Sequence, residues 1–206
     1  MITAPELGAG VSRVEAALGV SLTPGGTHPG MGTHNCLLRL SDSTYLEVIA
    51  PDPDAPRPTW PRWFDLDRVD PDAAPLLAGW VARCDDIHHT QAAWAETLGT
   101  VQHMSRGDLA WQITVRSDGG FPLAGAAPAL IEWQQPTIHP AATLPEVGCS
   151  LVELQLYHPD PERIYGILTA MAMQARPIVH WSGDEPAHLV AVIDTPAGRR
   201  TLSRRI

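Results

Sequence analysis

The chain has 206 residues, 44% hydrophobic and 18% charged, with a formal net charge of -9. It is long enough to bury a core and too acidic for a nucleic-acid binder, which needs a basic footprint to neutralise phosphates. No run approaches the roughly 18 apolar residues of a membrane span. No basic-then-apolar leader opens it, and Cys36, Cys84 and Cys149 form neither a CxxC pair nor an even disulfide framework. A cytoplasmic protein without nucleic-acid or membrane partners is expected.

Taken from the start, PELGAGVSRVEAALG (5–19) reads as a helix, with Leu7, Val11, Val14 and Leu18 at helical spacing and Gly19 as its stop. A Gly/His-rich loop, TPGGTHPGMGTHN (23–35), leads into a strand candidate, HNCLLRL (34–40). SDST (41–44) reads as a turn, and YLEVIAP (45–51) as a strand with Glu47 inside it. Residues 51–75 hold too much proline for continuous secondary structure. They also hold Trp60, Trp63 and Phe64, so this connector is expected to wrap across the protein, over a cavity mouth.

The pattern then recurs. DDIHHTQAAWAETLG (85–99) reads as a second helix ending in Leu98-Gly99. LAWQITV (109–115) is a strand, RSDGGFPLAGAAP (116–128) a Gly/Pro-rich excursion, and ALIEWQQP (129–136) a strand enclosing Glu132. A third, partial unit follows: a strand at 150–157, a helix at 162–173, and closing strands around IVHW and HLVAVIDTP. The expected organisation is a first module over 1–50, a connector over 51–75, a second module over 76–136, and a packing unit over 137–206.

A Glu inside a strand either faces solvent, pairs with an arginine such as Arg39 or Arg83, or lines a cleft, because a lone buried carboxylate is costly. If SDST pairs Leu40 with Tyr45, Leu38 opposes Glu47 and His34 shares its face; a shift of one residue sends His34 to the other side. Gly25, Gly26, Gly30 and Gly32 either shape a tight bend or offer backbone N–H groups to an anion. His28 is a loop residue or a cleft residue. Trp111 stands near the place of His34 in the other unit, and Trp111 and Trp133 are either core or an aromatic ligand wall. No GxSxG or linked Cys–His pattern points to covalent acyl chemistry.

GVSLTPGGTHPGMGTHNCLLRLSDSTYLEVIAPDPDAPRPTW (19–60), with LAGWVARCDDI opening the second unit, resembles the vicinal oxygen chelate superfamily and its glyoxalase-like domain proteins. The resemblance implies an α+β fold of paired βαβββ modules, their curled mixed sheets around a central cleft, with a partial third unit beside them. It implies a divalent metal such as Zn, Fe, Mn or Ni, with last-strand ligands at Glu47 and Glu132; His34, where the register sets it on the face of Glu47, is a further candidate donor. The first-strand position of the second unit falls on Gly79. That of the first unit lies before Met1, and ITAPEL resembles the tail of a first strand.

On the residues and their places in the repeat, Glu47, Glu132 and His34 are the candidates for catalysis, with His28, Asn35, Trp111 and Trp133 for substrate binding. The function implied is a small-molecule cleft, either that of a metal-dependent lyase, isomerase or dioxygenase acting on an oxo or hydroxy compound, or that of a protein that binds its ligand without turnover. A homodimer is consistent with the family.

Overall fold

The computed structural model describes residues 1–173, 175–204 and 206. The first module runs β1 (Ile2–Thr3), α1 (Leu7–Leu18), β2 (Thr23–His28), β3 (Thr33–Arg39) and β4 (Tyr45–Pro51). Gly19, at φ 73°, closes α1 in the left-handed region and returns its N–H to Glu15. Leu76–Leu77 forms β5, and the first sheet is ordered β2-β3-β4-β1-β5, with β1 parallel to β4.

The second module repeats the plan with β6 (Val81–Arg83), α2 (Ile87–Ala92), α3 (Ala95–Leu98), β7 (Thr100–Arg106), β8 (Leu109–Val115) and β9 (Ala129–Trp133). Its order is β6-β9-β8-β7, with β6 parallel to β9. The two βαβββ units therefore share one topology. The helix expected over 85–99 is broken at Trp94, whose backbone leaves the helical region. That indole packs with Ala82, Ile87, Leu98 and Leu130 and reaches Gly166 in the third unit.

The third unit holds α4 (Pro140–Thr143), β10 (Ser150–His158), α5 (Pro161–Ala170), β11 (Ile178–Trp181), β12 (His188–Thr195) and β13 (Gly198–Leu202). Its sheet order, β11-β10-β12-β13, is not that of the modules. Leu156, Ile164, Leu168, Leu189 and Ile193 join Ile2, Val14, Leu18 and Val48 in one core. The third unit thus packs against the helix side of the first module. The whole is an α+β fold with three mixed sheets.

A separate core lies between the inner faces of the two module sheets. It contains Met31 and Ile49 from one side, Trp111, Ile113 and Ile131 from the other, and Trp63, Phe64 and Leu66 from the connector. Trp63 stacks on Phe64 at 5.1 Å between ring centroids, and Phe64 on Phe121 at 4.8 Å. The connector is therefore wedged between the modules. Phe64 and Asp65 both adopt positive φ to turn the chain there, a conformation that costs an L-residue about 1–2 kcal/mol.

Candidate functional site

Strand registry decides which residues face the space between the sheets. In the first module Leu37 pairs with Glu47, Asn35 with Ile49 and Arg39 with Tyr45. The loop is therefore residues 40–44, with Leu40 and Ser41 both donating to the Thr44 carbonyl. This register is one residue away from the pairing of Leu40 with Tyr45. By the period-2 alternation of a strand, Asn35, Leu37 and Glu47 look into the cleft and His34, Cys36 and Leu38 look toward the helix side. His34 is absent from the residues lining the cavity, so it does not stand beside Glu47 as a ligand or catalytic group.

Glu132 is likewise turned away. Ile2 pairs with Val48 and Ala82 with Leu130, and Ile2 and Ala82 lie equally far ahead of their helices. Glu47 thus corresponds to Ala129, and Glu132 to Ala50. The two carboxylates occupy opposite sheet faces. Glu132 Oε2 accepts the Ile87 N–H at 2.8 Å, capping the start of α2. Neither glutamate is ion-paired to Arg39 or Arg83; Arg39 bonds Asp42 instead.

The cavity itself measures about 690 Å³. Its first-module wall carries His28, Asn35, Tyr45 and Glu47; its second-module wall carries Arg106, Trp111, Ile113, Ile131 and Trp133. Trp63 and Phe64 line it from the connector, Gly79 from the segment before β6, and Leu151, Leu154, Ile178 and Ile193 from the third unit. A Cβ on Gly79 would meet the Phe121 ring at 2.5 Å, so the position has no room for a side-chain ligand. Its carbonyl accepts the Met1 amino group at 2.9 Å.

A hydrogen-bonded chain crosses the polar wall. Asn35 Nδ2 donates to Glu47 Oε1 at 2.7 Å, while Asn35 Oδ1 accepts the Gly26 N–H at 2.9 Å. Arg106 Nη1 reaches across from β7 to His28 Nε2 at 3.0 Å and Asn35 Oδ1 at 3.5 Å. Arginine only donates, so His28 Nε2 accepts, and its proton sits on Nδ1, which donates to Thr33 Oγ1 at 3.1 Å. Trp63 Nε1 donates to the same hydroxyl at 3.2 Å. Burial first, then the Arg106 charge, depresses His28 to a pKa of about 3. It is a neutral imidazole serving as an acceptor.

Glu47 is buried at 8% exposure, and that burial pushes its carboxyl above the usual range, against the opposing pull of Asn35, the Met1 amino group and Arg106. Burial also raises the Tyr45 phenol, with Glu47 adding to the effect. His139, at the start of α4, lines the cavity between Tyr45 and Trp133, its ring centroid 5.7 and 5.6 Å from theirs. Burial holds it below the ordinary histidine range, with Arg83 contributing.

The stretch expected as a loop forms strand β2 as far as His28, and Gly25 and Gly26 within it act by being small. A Cβ on Gly25 would sit 2.1 Å from Asn35 Oδ1, and one on Gly26 would sit 3.1 Å from Arg106 Cδ. The strand irregularity there admits the Asn35 amide and lets the Arg106 side chain lie across it. Of the two readings of these glycines, the anion one lacks the Gly26 N–H, which Asn35 already uses.

The metal donors expected from sequence do not converge, since Glu47, His34 and Glu132 face three different surroundings. Among the described residues, no three His, Cys, Asp or Glu side chains are grouped as a metal site would need. Those same residues also include no helix long and apolar enough to cross a membrane. Sequence reasoning placed His28, Asn35, Trp111 and Trp133 at the site, and all four line the cavity. It missed Arg106, Tyr45 and His139, and it placed Trp63 only within a connector over the cavity mouth. Trp63 alone carried a signal, as a large aromatic in a proline-rich connector.

The model describing the glyoxalase-like domain matches residues 1–172. The chain belongs to that family, within the vicinal oxygen chelate superfamily. No curated protein matches this glyoxalase-like chain. A solved structure, a hypothetical protein from Staphylococcus aureus, shares the fold with a TM-score of 0.50 at 13% identity, covering 90% of this chain and 76% of that one. In the glyoxalase-like fold seen here, the cleft between the paired sheets is the part of the cavity bounded by Glu47 and the tryptophans.

Proposed function

We propose that the cleft binds a small organic molecule with an apolar body and that Glu47 exchanges a proton with it. The observation that carries this reading is a buried carboxyl with raised pKa, held by Asn35 at one oxygen, on the wall of an aromatic-lined cavity. A general base works best when its pKa lies near the operating pH, and burial moves a carboxyl that way. Asn35 fixes the orientation of the carboxylate; Trp63, Trp111 and Trp133 exclude water and pack against the ligand. Proton transfer at a carbon next to a carbonyl fits isomerase or lyase chemistry on an oxo or hydroxy compound. With the expected metal donors dispersed, no step here runs through a metal.

A second reading, binding without turnover, is favoured by the aromatic lining opposite Glu47. One experiment separates the two. Ligands found by thermal stabilisation are incubated with the protein in D2O and followed by proton NMR. Exchange of a ligand C–H for deuterium that is lost in Glu47→Gln, with binding retained, supports proton transfer. Binding with no exchange in the unmodified protein leaves the sequestering role, and no stabilisation by any ligand rejects both.

A further inference from the structure

Arg106 enters the cleft from the end of β7 with only neutral partners. Its Nη1 bonds the His28 imidazole and the Asn35 amide oxygen, and its Nε and Nη2 have no protein acceptor among the described residues. Its ion-pair environment is equally sparse, with no carboxylate within bonding distance among those residues. The Nε–Nη2 edge is one of the two guanidinium edges that can grip a carboxylate with two parallel hydrogen bonds, and the one that does not use Nη1. The side chain is placed deliberately: Gly26 leaves room for it, and His28, fixed by Thr33 and Trp63, holds its far nitrogen. Arg83 and Arg176 also line the cavity, but both are exposed to solvent, whereas Arg106 is half-buried.

We propose that Arg106 is the anion-binding group of the cleft, selecting ligands that join a carboxylate or similar planar oxyanion to a flat apolar body seated against Trp111 and Trp133. This rests on the reading of the cleft as the ligand site and adds the class of ligand it takes. A neutral His28 and an amide at Asn35 leave the positive charge of Arg106 undiminished by direct partners. The tryptophans on the same wall as Arg106, 5.5 Å apart between ring centroids, supply the apolar surface for the rest of the molecule.

The test uses two probes of one shape, 2-naphthoate and 2-naphthylmethanol, titrated calorimetrically into the full chain and into Arg106→Gln and Arg106→Lys. The expected result is a preference for naphthoate of about tenfold or more, abolished in Arg106→Gln and partly kept in Arg106→Lys. Equal binding of both probes to the unmodified protein overturns the anion site while leaving the cleft as a ligand site. Binding of neither probe overturns both. A naphthoate preference that survives Arg106→Gln with the fold intact by near-UV circular dichroism also overturns the assignment, placing the anion elsewhere. Should Arg106→Gln fail to fold, the decision falls to Arg106→Lys, in which an undiminished preference counts against the paired hydrogen bonds of the guanidinium.

Discussion

The two walls of the cleft are built on the same topology, yet their inner faces have diverged. The first module presents His28, Asn35, Tyr45 and Glu47; the second presents Trp111, Ile113, Ile131 and Trp133, with Arg106 as the charge that crosses over. On the helix sides the modules remain alike, with Leu18 and Val48 in one core and Leu98 and Leu130 in the other. Period-2 alternation lets a strand keep one face for folding and change the other for binding. The duplication therefore supplies a shared scaffold, and the division of labour between polar and apolar walls supplies recognition.

The largest effect is expected where both walls meet the connector. Trp63 is buried at 3% exposure, stacks on Phe64, and donates to Thr33. Trp63→Ala should cost about 3–5 kcal/mol in urea unfolding. A loss under about 1 kcal/mol would mean that the connector is a tether and that the walls stand without it.

Next, Glu132→Gln removes a charged cap from α2 and should cost about 1 kcal/mol, with ligand affinity unchanged by calorimetry. A loss of affinity without loss of stability would return Glu132 to the site. Smaller in stability but sharper in location, His28 should keep its Nδ1–H tautomer from pH 8 to pH 5 in two-bond nitrogen–proton NMR spectra, as its pKa of about 3 requires. Because that pKa lies below the unfolded value of 6.5, His28 favours folding above pH 6.5. That contribution is lost as pH falls toward 3. An imidazole that protonates near pH 6 would remove the acceptor assigned to Arg106.

Much of this organisation was legible in the sequence. The stops at Leu18-Gly19 and Leu98-Gly99 exposed the duplication, because a glycine closing a helix is a local signal. The faces were harder. A loop over 41–44 puts His34 on the face of Glu47, the loop over 40–44 inverts that assignment, and only the paired strands fix the register. Glu132 matches Glu47 locally, since both sit in short apolar runs ending in proline, while the pairing to β6 sets it on the other face. Arg106 was illegible for another reason. Its partners His28 and Asn35 lie 78 and 71 residues away, and nothing local to a lone arginine near a hairpin turn marks that distance.

The finest test of the divergence compares Glu47→Gln with the unmodified protein across pH. Burial raises the folded-state pKa of Glu47 above its ordinary 4.5, so the folded chain holds this proton where the unfolded chain has released it. Stability then falls as pH rises from the ordinary value through the folded one, and the full penalty persists above. Glutamine keeps an oxygen to accept from Asn35 Nδ2 and carries no charge to desolvate. The variant should therefore melt higher than the unmodified protein at neutral pH, with the gap closing as pH drops below 4.5. His28 pulls the other way in the acid range, but it is present in both proteins and cancels from the difference. A gap independent of pH, or of opposite sign, would mean that Arg106 and its neighbours already stabilise the carboxylate, and Glu47 would then be a structural anion rather than a base held ready for a proton.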